Sequence, residues 1–171
     1  RPTHGLGVAS AGIYRDGAPS LYEGGIRVPA LFRWPGKIAP GSVSKAMLSH
    51  LDLLPAFLTA AGATAPKDRI LDGRDCLPAL TNNAATPHRR LFFHLRDAVA
   101  VREGALKLIR PKAKAGWELY NLAADPSEKQ DLATERPQDV QRLADAITQW
   151  QLDTKSDASG PVRHQAAKKT K

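Results

Sequence analysis

The 171 residues are 42% apolar and carry a formal charge of +8, so the chain is long and apolar enough for a packed core and is not a disordered protein. No apolar run approaches the length of a membrane-spanning helix. The single cysteine, Cys76, excludes an internal disulfide and any zinc site built on several cysteines. Half of the charge excess lies in residues 155–171, five Lys or Arg against one Asp, in a Ser/Gly/Ala/Lys stretch that reads as a disordered tail. Such a tail either touches anionic surfaces or nucleic acid, or is simply solvated. The body of the chain does not interleave aromatic with basic residues as a nucleic-acid platform does. The first residues, Arg1-Pro2-Thr3-His4-Gly5, include no initiator Met and no apolar signal segment, which leads to the expectation that the chain begins mid-protein.

Residues 1–21 are glycine-rich and irregular, a loop that lines a cleft or one that only covers surface. Tyr22-Glu23-Gly24-Gly25-Ile26-Arg27-Val28-Pro29 follows. Two adjacent glycines between an acid and a base read as a tight turn with positive φ, across which Glu23 and Arg27 can pair. Val28–Trp34, an apolar run bounded by prolines, reads as a strand buried on both faces. Residues 52–61 read as a helix capped by Asp52 and stopped by Gly62, with Leu53, Leu54, Phe57, Leu58 and Ala61 on one apolar stripe. His50, just before it, reads as a bystander. A long connection with Pro66, Pro78 and Pro87 contains a turn at Asp72-Gly73 and one helical turn at 77–80. Cys76 sits there in apolar company and reads as a buried structural thiol.

From residue 91 the pattern changes to period two. Residues 91–95, 98–102, 106–110 and 118–122 read as four short strands, the middle two a hairpin around Glu103-Gly104-Ala105. Val99, Val101, Leu106 and Leu108 give one apolar face, so the sheet reads as half-buried. Pro137 opens a last helix with Asp139 in its first turn. Val140, Leu143, Ile147 and Trp150 form its inner face, which should cover the sheet.

Several of these stretches together resemble the sulfatase family, the arylsulfatase-like hydrolases of sulfate esters. The motifs are the Tyr22–Pro29 stretch, Leu51-Asp52-Leu53-Leu54-Pro55, Leu71-Asp72-Gly73, Val101-Arg102-Glu103-Gly104-Ala105-Leu106-Lys107-Leu108 and Glu118-Leu119-Tyr120-Asn121-Leu122-Ala123-Ala124-Asp125-Pro126-Ser127-Glu128. They occur in the family's order over about residues 1–152. The resemblance implies an α+β piece of an alkaline-phosphatase-like α/β fold. Residues 1–88 would be the end of the large α/β domain, 89–152 a small antiparallel sheet with a packed helix, and 153–171 a basic tail.

The resemblance also implies a chemistry. The family's nucleophile is a formylglycine made from a Cys or Ser in a Cys-x-Pro-x-Arg-type motif, and a calcium ion held by carboxylates and an Asn supplies much of the charge. Cys76 has Pro78 two places on but no arginine four places on, and it lies in the wrong part of the family pattern. Nucleophile and metal ligands would therefore come from an N-terminal half missing from this chain, and no metal or catalytic residue is assigned here. The substrate-side candidates are His4, near the family's metal turn, and Arg15. Ala18 stands where the family pattern has a sulfate-contacting lysine, while Tyr22, Glu23, Gly24, Gly25 and Arg27 form a structural motif. The implied partner is a sulfate-ester substrate, with neither nucleic acid nor membrane, and the full-length protein would be periplasmic, secreted or lysosomal. Two functions follow: the C-terminal part of a sulfatase, not competent as the chain stands, or a degenerate remnant that at most binds a partner or an anionic ligand.

Overall fold

A computed structural model describes residues 10–155. His4 and the stretch beyond residue 155 lie outside the described residues. The centre is a four-stranded antiparallel sheet in the order β1-β2-β3-β4, made of Leu91–Leu95, Ala98–Glu103, Leu106–Arg110 and Glu118–Asn121. The strands follow sequence order because each connection is short enough for neighbours to pair. The β2–β3 hairpin pairs Val101 with Leu108 and Glu103 with Leu106, and Gly104 takes a φ of +58° in its loop. A side chain there would meet no neighbour, so glycine is favoured by the backbone angle alone.

Helix α4, Pro137–Lys155, lies across one face of the sheet. It extends into the stretch read as tail. Leu143 and Ile147 are fully buried against Val99, Val101, Leu108 and Leu119, and Val140 packs at the margin of this cluster. Trp150 stacks flat on Phe92 with ring centroids 5.1 Å apart. Periodicity places the α4 residues and Val99, Val101 and Leu108 at this interface; the Leu119 contact and the Phe92–Trp150 stack are added by the fold.

The opposite face departs from expectation. The sheet is buried on both sides, not one. Ala100, Ile109 and Tyr120 point away from α4 and pack on Leu21, Tyr22 and Ile26. The segment around the double glycine is therefore the second layer of a sandwich with the sheet in the middle. Burying both faces raises the apolar area removed from water, which stabilises by about 25 cal/mol per Å².

The double glycine itself forms one helical turn, α1, Glu23–Ile26, and neither glycine has positive φ. The glycines serve close approach instead. A Cβ on Gly24 would lie 2.2 Å from the Asp16 carbonyl oxygen, and one on Gly25 would lie 2.2 Å from that of Ser20. Past α1 the expected strand is absent. Residues 28–34 form no strand, Val28 is exposed and Leu31 is almost fully exposed. An extended segment becomes a buried strand only beside another strand, and no neighbour pairs with this one among the described residues.

The region 49–88 forms a separate small knot. A 3-10 turn, His50–Asp52, leads into α2, Leu53–Ala60, which ends at Gly62 with φ +66°. The cap is Ser49 rather than Asp52. The Leu51 amide donates to the Ser49 hydroxyl, and the Ser49 amide donates to Asp52 Oδ2 at 2.7 Å. Asp52 is the far half of that capping box and is fully buried. The apolar stripe of α2 does not face a core here: Leu54 and Phe57 are exposed and Ala56 is the buried residue. α3, Leu77–Thr81, packs on α2 where the sequence indicated one helical turn.

Candidate functional site

The polar residues of interest gather where residues 14–27 meet the inner face of the sheet. β2 and β3 bring Arg102 and Lys107 opposite each other on that face, two like charges in direct register. Such a pair is destabilising unless an anion lies between. Glu23, delivered by α1, fills that role. Its carboxylate lies 3.0 Å from Lys107 Nζ, 3.3 Å from an Arg102 nitrogen and 3.6 Å from an Arg27 nitrogen. The expected Glu23–Arg27 pair thus exists, as one of three.

Lys107 is completely buried and has a second partner, Glu128 Oε1, at 2.8 Å. That oxygen meets no donor in aligned hydrogen-bond geometry, so charge holds it. The other oxygen of Glu128 accepts the Glu23 backbone N–H at 2.7 Å. Glu128 itself sits at φ +52°, a backbone angle that non-glycine residues rarely take. The turn that puts it there is fixed by Asp125 Oδ2, which accepts from the amides of Lys129 and Gln130.

Beside this buried ion cluster lies a second, half-buried one. Arg15 places its guanidinium over the Tyr22 ring, 3.8 Å from the centroid. It donates to the Tyr120 hydroxyl at 2.8 Å and to the Glu128 carbonyl at 3.0 Å. Tyr22 and Tyr120 both donate to the same oxygen, Glu118 Oε2, at 2.7 and 2.6 Å. Burial, together with the adjacent Glu118 carboxylate, pushes both phenols well above their ordinary range. Burial pushes the Arg15 guanidinium down, but Tyr120, Tyr22 and Glu118 outweigh it and raise it.

Residues 10–27 are thus held on the sheet by a connected set of charged and aromatic groups. Arg15 points into that set. Ala18 lies on the exposed outer bend, joined to Pro19 by a cis peptide. A shallow groove lined by Ile13, Tyr14, Arg15, Ser127 and Lys129 opens on one side of Arg15, and another lined by Pro19, Ser20, Ile26, Phe93 and Leu95 opens below the bend.

Two further groups with titratable side chains, Cys76 and the Asp52–His88 pair, lie away from this seam, in the region 49–88. The Cys76 thiol is 1% exposed, and burial, with Asp52 nearby, pushes its pKa up. Asp52 and His88 form a buried pair, with His88 Nε2 2.7 and 2.8 Å from the two carboxylate oxygens. Asp52 Oδ1 also accepts from the Arg74 amide. Its acceptor capacity is spent on tying residues 49–52 to 74 and 88. A calcium ion of the kind the resemblance implies finds no uncommitted carboxylate oxygen at this pair. Among the described residues no three His, Cys, Asp or Glu side chains gather to hold a metal, and the buried carboxylates Glu23, Glu128 and Asp52 are each engaged by protein donors or cations. No described helix is long and apolar enough to cross a membrane.

Sequence reasoning singled out Tyr22, Glu23, Gly24, Gly25 and Arg27 and missed their partners Arg102, Lys107, Glu118, Tyr120 and Glu128. A signal for Lys107 was present. It is a charged residue between Leu106 and Leu108 that shares a sheet face with Ile109, where a one-sided apolar pattern would leave it exposed.

A family model described as "N-sulphoglucosamine sulphohydrolase, C-terminal" matches residues 18–153, from the exposed bend to nearly the end of α4. The chain belongs to the sulfatase family. Human arylsulfatase A is 44% identical over 103 residues, which cover 57% of this chain and 20% of that protein. An N-acetylgalactosamine-6-O-sulfatase of Bacteroides thetaiotaomicron is 30% identical over 151 residues, covering 80% and 29%. The crystal structure of Ps i-CgsB in complex with k-i-k-neocarrahexaose superposes with a TM-score of 0.72 at 30% identity, covering 80% of this chain and 31% of that one. The sulfatase chain thus spans less than a third of the length of these relatives. The four-stranded sheet with its packed helix is the C-terminal part of the alkaline-phosphatase-like sulfatase fold.

Proposed function

We propose that this chain is the C-terminal part of a sulfate-ester hydrolase and that it does not catalyse as it stands. Its part in the reaction is to hold residues 10–27 beside the reacting sulfate. The observation that carries this reading is the double anchoring of that segment, by Lys107 on Glu23 and Glu128 and by Arg15 on Tyr22 and Tyr120. Four charged residues buried or half-buried at one seam would be a costly way to hold a loop that only covers surface. Exposed Val28, Leu31, Leu54 and Phe57 suit a surface that packs on the remainder of a larger α/β domain.

Sulfate-ester cleavage needs a nucleophile, cations for the equatorial oxygens and an acid for the leaving oxygen. The nucleophile and the metal belong, on this reading, to residues outside this chain. Ser159-Gly160-Pro161-Val162-Arg163 has the Ser-x-Pro-x-Arg spacing but follows α4 in sequence, at the opposite end of the pattern from the family nucleophile, and lies outside the described residues. What this chain brings is the bend, with Ala18 in the place of the family lysine. A methyl group cannot stabilise an anion, and Arg15 is already committed to Tyr120, Glu128 and Glu118. Ala18 is also the one observation that favours the second reading, a non-catalytic remnant that binds an anionic ligand or a partner.

The test is a chimera of human arylsulfatase A in which the matching segment is replaced by this chain's, compared with its Ala18→Lys variant on an aryl sulfate. The lysine variant is expected to turn over at least about tenfold faster, roughly 1.4 kcal/mol in the transition state. This chain alone, and its Ser159→Ala variant, are expected to show no turnover. Equal rates in two folded chimeras would remove Ala18 from the sulfate, and turnover by this chain alone would overturn the reading.

A further inference from the structure

The face of the sheet that carries α4 holds a second charged network, away from the segment just described. Glu103, at the end of β2, receives three arginines: Arg90 Nε at 2.5 Å, Arg89 Nε at 3.6 Å, and Arg142 from α4. Arg142 also donates to Asp139 at 2.9 Å, and Asp139 pairs with Arg136 at 2.6 Å. Four guanidinia therefore share two carboxylates in one connected set, a surplus of two positive charges. Asp145, the next acid along α4, accepts from Gln141 instead. Arg89 is 80% exposed, and Arg136 and Arg142 are about 40% exposed. Burial pushes the Glu103 carboxyl up, but bonds from Arg142 and Arg90 outweigh it, so the acid at the centre stays ionised and keeps the arginines gathered.

We propose that this arginine set is a binding site for a sulfated polysaccharide, gripping a stretch of the chain remote from the ester being cleaved. The ligand class rests on the sulfate-ester reading above. The site itself rests on its own geometry. Each guanidinium offers five donors in a planar fork, and a carboxylate that meets one or two of them leaves the rest for an anion with several oxygens. A sulfated polymer presents such groups repeatedly, which matches several forks gathered around Glu103 at the end of β2 and Asp139 in the first turn of α4. Nucleic acid fits less well, because binding a single strand draws on exposed aromatic rings as well as charge. The aromatic rings on this face are already engaged: Phe92 and Trp150 stack on each other, and Trp117 packs on the core with Arg110 4.9 Å over its ring. The set lies on the opposite face of the sheet from Arg15 and Ala18, so occupancy there leaves the segment 10–27 free.

Binding to dextran sulfate, to neutral dextran and to single-stranded DNA tests this on the full chain by calorimetry or fluorescence, with no hydrolysis needed. A failure of the sulfatase reading therefore shows up separately, in the chimera. The chain is expected to bind dextran sulfate and not dextran. Arg89→Gln with Arg142→Gln should weaken binding at least about fivefold. Glu103→Gln, which removes an anion and leaves every arginine, should tighten it at least about twofold. A site with a merely structural dependence on this network would weaken in both. Replacing Lys168, Lys169 and Lys171 by Gln controls for the basic C-terminal stretch and should cost less than the arginine pair. The proposal is overturned if Glu103→Gln weakens binding, if binding follows the C-terminal lysines, or if DNA binds as tightly as dextran sulfate and responds equally to the arginine changes. Should the double variant be unfolded by circular dichroism, Arg89→Gln alone, at a solvent-exposed side chain, still has to weaken binding.

Discussion

Replacing Lys107 by Met keeps most of the volume and removes the charge, which makes it the sharpest perturbation of the seam. Lys107 is fully buried, with its ammonium 3.0 Å from Glu23 and 2.8 Å from Glu128. The two glutamates do not suffer equally. Glu23 keeps Arg102 at 3.3 Å and Arg27 at 3.6 Å. The Glu128 carboxylate loses the ammonium that faces it and keeps one backbone N–H, from Glu23. Removing one member of a buried ion pair costs about 3–5 kcal/mol, most of it the uncompensated charge left behind. Against a total stability of about 5–15 kcal/mol that is a large fraction. In a chain of this size it corresponds to a fall in Tm of very roughly 6–20 °C. Urea unfolding followed by Trp117 and Trp150 fluorescence measures it. Adding Glu128→Gln to Lys107→Met removes the stranded charge and should return a substantial part of the loss. A single variant destabilised by less than about 1 kcal/mol, or a double variant no more stable than the single, would refute the buried-charge account.

Three further outcomes follow from the same structure. Gly24→Ala and Gly25→Ala should each destabilise by more than the helix-favouring gain of about 1 kcal/mol that alanine normally brings, because the new methyl meets backbone at 2.2 Å; a stabilised variant would contradict this. Cys76 should resist a disulfide reagent at pH 8 in the native state and react promptly in urea, since burial raises its pKa and hides it. Glu103 has a folded pKa below its ordinary value, so its contribution is fully present above the unfolded pKa near 4.3 and is lost as pH falls through the depressed folded value. The stability gap between wild type and Glu103→Gln should therefore be flat above about pH 5 and shrink below about pH 4; a gap that grows in acid would reverse the sign.

What was legible in the sequence was whatever is local. The hairpin at Gly104, the strands from residue 91 onward and the α4 face of Val140, Leu143, Ile147 and Trp150 depend on periodicity and turn chemistry within a few residues. Most of the differences are long-range, the Ser49–Asp52 capping box being a local one. Val28–Trp34 has the composition of a buried strand, but a strand needs a neighbour, and composition says nothing of whether one is present. Asp52 looked like an N-cap because it precedes the helix; its partner His88 is 36 residues away and could not be paired with it from the sequence. Gly24 and Gly25 were rightly seen as special and for the wrong reason, since close approach to Asp16 and Ser20 is a tertiary fact. The long-range anchoring of Arg15 and Glu23 spans 79 to 113 residues of sequence, and only the fold brings those partners within reach.

Amide hydrogen exchange tests the central claim most directly, that residues 22–27 are a layer of the same unit as the sheet. The Gly24 amide donates to the Arg15 carbonyl at 2.9 Å, Gly25 to Tyr22 at 2.8 Å and Arg27 to Glu23 at 2.9 Å. If the seam holds, these three amides exchange as slowly as Leu108 and Ile109 at the centre of β3, through one shared opening, and Lys107→Met speeds both groups together. Exchange of the 24–27 amides at rates near those of an unstructured chain, with β3 still protected, would show that the segment is only draped on the sheet and would contradict the account.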